Sequence, residues 1–129
     1  MRALIAEDDA ASGKFLKKLL EHHGDVTLCT NGLDAVNEFV DGIKNGKKYE
    51  LVCLDIMMPK IDGYQALQSI RDAERKLGIP RISRTKVVMV SALDEEFDAS
   101  YAVDDYDDYL CKPIDVMKFE DIIRKLDLV

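Results

Sequence analysis

The sequence predicts a doubly wound α/β fold, a five-stranded parallel sheet with helices on both faces, in a single domain over residues 1–129. Three observations predict it. Five short apolar runs alternate along the chain with segments whose apolar residues recur at helical spacing. The run Leu51 to Leu54 is apolar at four consecutive positions, as a strand buried on both faces requires. The 129 residues, 47% hydrophobic and 33% charged, suit one ordinary core, with no repeat or low-complexity linker to divide it.

Taken in order, Ala3 to Ala6 reads as the first strand and ends in three carboxylates, Glu7, Asp8 and Asp9. Asp9 is a favoured N-cap for the helix that follows, with core face Phe15, Leu16, Leu19 and Leu20. Gly24 ends that helix, and Val26 to Cys29 forms the second strand. Asn31-Gly32 turns into a second helix facing the core through Ala35, Val36, Phe39, Val40 and Ile43. The polar loop Asn45 to Lys48 precedes the third strand, which closes on Asp55 and a Pro-broken turn. Asp62-Gly63 completes that turn.

Tyr64, Leu67, Ile70 and Leu77 define a third helix, which Gly78 and Pro80 stop. Arg81 to Lys86 holds three cations and no apolar period, so it reads as an exposed connector. Val87 to Val90 is the fourth strand and closes on Ser91-Ala92. Asp94 to Asp108 contains eight acidic residues and no Lys or Arg, with a short acidic helix expected over Glu95 to Val103. Tyr109 to Cys111 is the fifth strand, Lys112-Pro113 a turn, and Phe119, Ile122, Ile123 and Leu126 the core face of a final helix.

The net charge of -7 argues against direct nucleic-acid binding, which needs a basic patch to neutralise phosphates. No apolar run approaches the roughly 18 residues of a membrane span, and Met1-Arg2 leads straight into a strand. The expectation is a cytoplasmic chain with no membrane contact. Cys29, Cys53 and Cys111 are widely spaced and sit in or beside apolar runs, so they read as core thiols. His22 and His23 read as cations at the end of the first helix.

Alternation alone leaves strand order open. If the order is 2-1-3-4-5, the switch point falls between strands one and three and brings Glu7 and Asp8 beside Asp55. Three converging carboxylates repel, and a hard divalent cation such as Mg²⁺ resolves that repulsion with oxygen ligands. Charge balance agrees: Mg²⁺ with Lys112 would offset Glu7, Asp8 and Asp55. A carboxylate so held can take a phosphoryl group as an acyl phosphate. Ser91 can donate a hydrogen bond to a phosphoryl oxygen, Ala92 leaves it room, and Lys112 adds a point charge.

Four motifs occur in order at the expected strand ends: Glu7-Asp8 after ALIA, Asp55 in LDIMMPKIDG, Ser91-Ala92 after VVMV, and Tyr109-Leu110-Cys111-Lys112-Pro113. Each alone is weak. Together they resemble the receiver domain of a two-component response regulator, of flavodoxin-like fold, from the first strand to the last helix. The resemblance implies that Asp55 is the phosphoacceptor and that Asp8, Asp55 and the main-chain carbonyl of Met57 hold Mg²⁺, with Glu7 assisting. It implies that Ser91 shifts toward the phosphoryl group while Tyr109 swings inward, and that the surface of the fourth helix, fifth strand and last helix reports the state. The implied partners are a histidine kinase or histidine phosphotransfer protein and a downstream protein target, with the domain a monomer or a weak phosphorylation-linked dimer. By the same resemblance it is a signalling domain that catalyses its own phosphorylation and dephosphorylation.

The chain departs from the family where Gly-Ala-Asp-Asp commonly precedes the fifth strand: Asp105-Tyr106-Asp107-Asp108 stands there. Pro113 is compatible with a trans turn or a cis bond. The final helix is expected to end at Leu126 and the chain stops at Val129, so a stand-alone regulator is expected, with a receiver cut from a longer regulator as the alternative. A Mg²⁺-dependent phosphatase of the haloacid dehalogenase type would want Asp-x-Asp, but Met57 occupies the second position. A flavin-binding module would want a phosphate loop after strand one, where Glu7-Asp8-Asp9 repels phosphate.

Overall fold

The computed structural model describes residues 1–92 and 105–128. In chain order the elements are β1 (Arg2–Ala6), α1 (Ala10–Glu21), β2 (Asp25–Cys29), α2 (Gly32–Lys44), β3 (Leu51–Asp55) and α3 (Gly63–Lys76). A 3-10 turn at Arg81–Ser83 leads to β4 (Lys86–Ser91), and β5 (Asp108–Cys111) and α4 (Val116–Lys125) complete the chain. The acidic helix expected over Glu95 to Val103 lies outside the described residues. The strands form one parallel sheet in the expected order, β2-β1-β3-β4-β5.

Side chains alternate across a strand, and this divides the core into two layers. Ala3 and Ile5 of β1, Leu51 and Cys53 of β3, and Val88 and Val90 of β4 pack against Leu16 and Leu20 of α1 and Phe119 and Ile123 of α4. The intervening residues, Leu4, Val52, Leu54, Val87 and Met89, pack against Ala35 and Phe39 of α2 and Ala66, Leu67 and Ile70 of α3. Both faces of β3 are covered, which is why the sequence shows a continuous apolar run there. Each fully buried Leu or Ile in these layers contributes about 1.5–3 kcal/mol.

Strands β1, β2, β4 and β5 each begin one residue before the apolar run. The extra residues are Arg2, Asp25, Lys86 and Asp108, whose backbones join the sheet while their side chains are charged. Two residues expected to face the core do not. Phe15 is 40% exposed because Leu16 and Leu20 define the inward stripe of α1, and Leu77 is 40% exposed because α3 ends before it. The helix starts agree with their chemistry: Asp9, Asn31, Asp62 and Asp115 each accept a hydrogen bond from the main-chain N–H three residues on. At Asp62 the cap is reciprocal, with Gln65 accepting from the Asp62 N–H.

Candidate functional site

Parallel register brings the carboxyl ends of four strands to one edge. Ala6 pairs with Leu54, Asp55 with Val90, and Ser91 with Cys111. Glu7 therefore leaves β1 beside the end of β3, and its N–H donates to the Cys29 carbonyl at 3.0 Å. Lys112 leaves β5 beside the end of β4, its N–H donating to the Ser91 carbonyl at 2.8 Å. The Lys112-Pro113 bond is cis. Gly63 lets α3 start directly against this edge: a Cβ there would lie 2.5 Å from the Asp55 carbonyl oxygen and 2.7 Å from Ile56 Cα.

Glu7 is 2% exposed and Asp55 5%, while Asp8 is open to solvent. One carboxylate oxygen from each of the three lies within 4.8 Å of the others. Lys112 Nζ approaches Glu7 Oε1 to 2.5 Å and Asp55 Oδ2 to 3.4 Å. The Glu7 contact is one of charge and proximity, since no hydrogen bond of good geometry reaches Oε1 among the described residues. Glu7 Oε2 accepts from the Asp9 N–H at 3.2 Å, and Asp55 Oδ1 from the Met57 N–H at 3.3 Å. Ser91 is buried and Ala92 exposed; Met57 is 62% exposed, and half-buried Tyr109 packs on the α2/α3 layer.

Burial, then the neighbouring Glu7, pushes the Asp55 carboxyl up to about 7 against the pull of Lys112. Burial also acts to raise Glu7, but its close contacts with Asp55 and Lys112 and the hydrogen bond from the Asp9 N–H leave it below its ordinary value. Burial acts to lower Lys112, and Glu7 and Asp55 more than reverse that. One ammonium thus pairs with two of the three clustered carboxylates, Glu7 and Asp55. The donors are all oxygens, one of them buried without a good hydrogen bond, and this set fits a hard divalent cation.

A buried polar network escaped the sequence reading. Arg71 is 2% exposed, and Nε donates to the Asp105 carbonyl at 2.7 Å. Its Nη1 donates to Glu74 and to the Thr85 carbonyl at 2.8 Å each, and Nη2 to Asp107 at 3.2 Å. Glu74 in turn accepts from the Thr85 N–H at 2.7 Å, and Asp107 from the Val87 N–H at 2.8 Å. The signal was present: the core-facing period of α3 runs Leu67, Ile70, Arg71, Glu74, placing two charges on an inward stripe. The departure at Asp105 to Asp108 falls in this network, and Tyr106 packs against the α2/α3 layer.

A doubly wound parallel sheet with an acidic cluster at its switch point defines a class of ligand-binding α/β domains. Residues 3–124 match the response regulator receiver domain, and the chain belongs to that family, the receiver domains of two-component signalling systems. It is 31% identical to hybrid signal transduction histidine kinase L of Dictyostelium discoideum, over 96% of this chain and 7% of the relative. It is 32% identical to the transcriptional regulatory protein CpxR homolog of Haemophilus influenzae, over 96% of this chain and 51% of the relative. The chain thus spans 7% of one of these relatives and about half, 51%, of the other.

Among solved structures it is similar to the receiver domain of the Arabidopsis thaliana histidine kinase CKI1, complexed with Mg²⁺ and BeF3⁻: TM-score 0.81, 25% identity, 98% of this chain and 89% of that one. It is also similar to a chain of the Saccharomyces cerevisiae complex of the histidine phosphotransfer protein Ypd1 with the receiver domain of Ssk1: TM-score 0.76, 28% identity, 95% and 86% coverage. Among the described residues, no helix is long and apolar enough to cross a membrane.

Proposed function

We propose that Asp55 accepts a phosphoryl group from the phosphohistidine of a histidine kinase or histidine phosphotransfer protein, in a Mg²⁺-dependent reaction. The observation that carries this reading is Asp55 itself, a buried strand-end carboxylate within 4.8 Å of Glu7 and Asp8 and 3.4 Å from Lys112. In the transfer, an Asp55 oxygen forms the bond to phosphorus as the phosphorus–nitrogen bond breaks, and the released imidazole takes up a proton. Lys112 balances charge on the phosphoryl oxygens, the Ser91 hydroxyl donates to one of them, and Ala92 leaves space. Glu7, Asp8 and Asp55, with the Met57 carbonyl, would hold Mg²⁺, whose charge would offset the carboxylates and the incoming phosphate. Water later cleaves the acyl phosphate and restores the carboxylate, so the domain catalyses its own phosphorylation and dephosphorylation.

In this reading residues 1–129 act as one cytoplasmic receiver unit, monomeric or weakly dimeric when phosphorylated. Ser91 and Tyr109 move with the phosphoryl group and shift the conformer population at the face that includes β5 and α4. A downstream protein reads that face, and the net charge of -7 speaks against nucleic acid as the direct target. The Ypd1–Ssk1 complex supports the phosphotransfer partner, and the Mg²⁺ and BeF3⁻ in the CKI1 receiver support the cation.

The test is intact mass after incubation with acetyl phosphate, with and without Mg²⁺, on wild type and Asp55→Asn. A gain of about 80 Da, one phosphoryl mass, that needs Mg²⁺ and vanishes in the variant is expected. No adduct even with a competent kinase would overturn the proposal.

A further inference from the structure

β2 forms one edge of the sheet and pairs with β1 on its inner side. The Asp25 N–H donates to the Met1 carbonyl and the Glu7 N–H to the Cys29 carbonyl, so Asp25, Thr27 and Cys29 are the residues of the parallel ladder that bond to β1. Val26 and Leu28 therefore turn their N–H and C=O groups outward, where nothing among the described residues bonds to them. β2 also runs without proline, bulge or interior charge, the devices that usually blunt an edge. An edge left open in this way is a template for a further strand.

The room beside that edge lies on the α2 face. On the α1 face Gly13 sits directly against Leu28, where a Cβ would lie 3.3 Å from either methyl. On the α2 face a groove of about 430 Å³ runs between residues 27–30 and the exposed Asp34, Asn37, Glu38 and Asp41. The three carboxylates stand at i, i+4 and i+7, one stripe of the helix. Asn31 and Tyr49 donate hydrogen bonds to Asp34 and Glu38 but carry no charge to neutralise them. Among the described residues none of the three carboxylates forms an ion pair. Their field reaches the strand: burial first, and then Glu38 and Asp34, push the Cys29 thiol up to about 11. Alternate residues of an extended chain advance about 6.6–6.8 Å and helix residues four apart about 6 Å, so cations at alternate positions of an added strand would follow the Asp34–Glu38 stripe.

We propose that the open edge of β2 takes up an extended segment of a partner protein as a further strand, with Lys or Arg at alternate positions of that segment facing Asp34, Glu38 and Asp41.

The probe is a synthetic peptide of alternating Lys and Val, about six residues long as strands usually are, titrated into the ¹⁵N-labelled full chain at low salt. Mg²⁺ and phosphoryl donors are left out, so the result does not depend on the phosphoacceptor reading. Saturable shifts are expected at Val26 and Leu28, with slower hydrogen exchange of both amides, since these gain a hydrogen bond. Methylating the peptide amides that face β2 should remove that protection, and replacing Lys by Glu should abolish binding. The double variant Glu38→Gln, Asp41→Asn should weaken binding about tenfold or more, and exposed Asp41→Asn by itself should weaken it measurably without touching the fold. Shifts without added protection at Val26 and Leu28, or binding that survives the double variant, would overturn the site. An unmoved spectrum would overturn it too, and self-association of the double variant would then show that the carboxylates guard the edge instead of recruiting a partner.

Discussion

Lys112 Nζ stands 3.4 Å from Asp55 Oδ2 and ties the end of β5 to the end of β3. Among the described residues no other cation forms an ion pair with Asp55 or Glu7. Lys112→Ala removes the charge that, on the proposed reading, would face a phosphoryl group on Asp55. Phosphorylation by acetyl phosphate should slow by about 10²-fold, the scale on which one positioned donor acts. Intact-mass time courses measure it, and an unchanged rate would deny Lys112 its role.

The pH dependence of the metal-free protein follows from Asp55. Its carboxyl is raised from the ordinary 3.8 to about 7, so the folded chain binds this proton more tightly than the unfolded one. Stability from this group is present at low pH and is lost as pH rises through that window. Glu7, held below its ordinary value, contributes the opposite slope at lower pH. In EDTA above neutral pH, Asp55→Asn should be more stable than wild type by on the order of 2 kcal/mol. Urea midpoints across pH test this, and equal midpoints would refute it.

Removing the cation should matter most where Asp55 is ionised. Mg²⁺ held by the carboxylate cluster would add stability by mass action, and protons would compete for the same oxygens. The difference in melting temperature between Mg²⁺ and EDTA samples is expected to widen from acid to neutral pH. A constant difference would mean that the carboxylate cluster is not where the ion binds.

Gly63→Ala places a methyl 2.5 Å from the Asp55 carbonyl oxygen and 2.7 Å from Ile56 Cα, both backbone atoms that cannot rotate away. The start of α3 must then retreat from β3. A loss of about 1–3 kcal/mol is expected, with slower phosphorylation, since the shift acts on the main chain of the proposed phosphoacceptor. Wild-type stability would show that the loop accommodates the methyl freely.

Arg71→Met leaves Glu74 and Asp107 without their shared cation in a buried setting. Breaking such a pair costs about 3–5 kcal/mol. Chemical denaturation measures it, and adding Glu74→Gln should recover part of the loss by removing the stranded charge. A loss within error of zero would mean that water replaces the guanidinium at no cost.

The sequence by itself determined the alternation of strands and helices, because burial on both faces of a parallel sheet forces continuous apolar runs and helix packing forces a 3.6-residue stripe. It also determined where Glu7, Asp8, Asp55, Ser91 and Lys112 stand relative to their strands, since each directly ends or follows an apolar run. Tertiary structure alone decided their distances, because strand order and register are properties of pairing between distant segments. It also decided that α3 buries Arg71 and Glu74. The helical period sets those charges on the inward stripe, but only their partners Thr85, Asp105 and Asp107, brought from beyond the helix, make burial tolerable. The pairing of His23 Nε2 with Glu120 at 2.9 Å, joining the end of α1 to α4, was hidden for the same reason. Spacing within an element is written in the chain, whereas proximity between elements follows from which faces the sheet brings together.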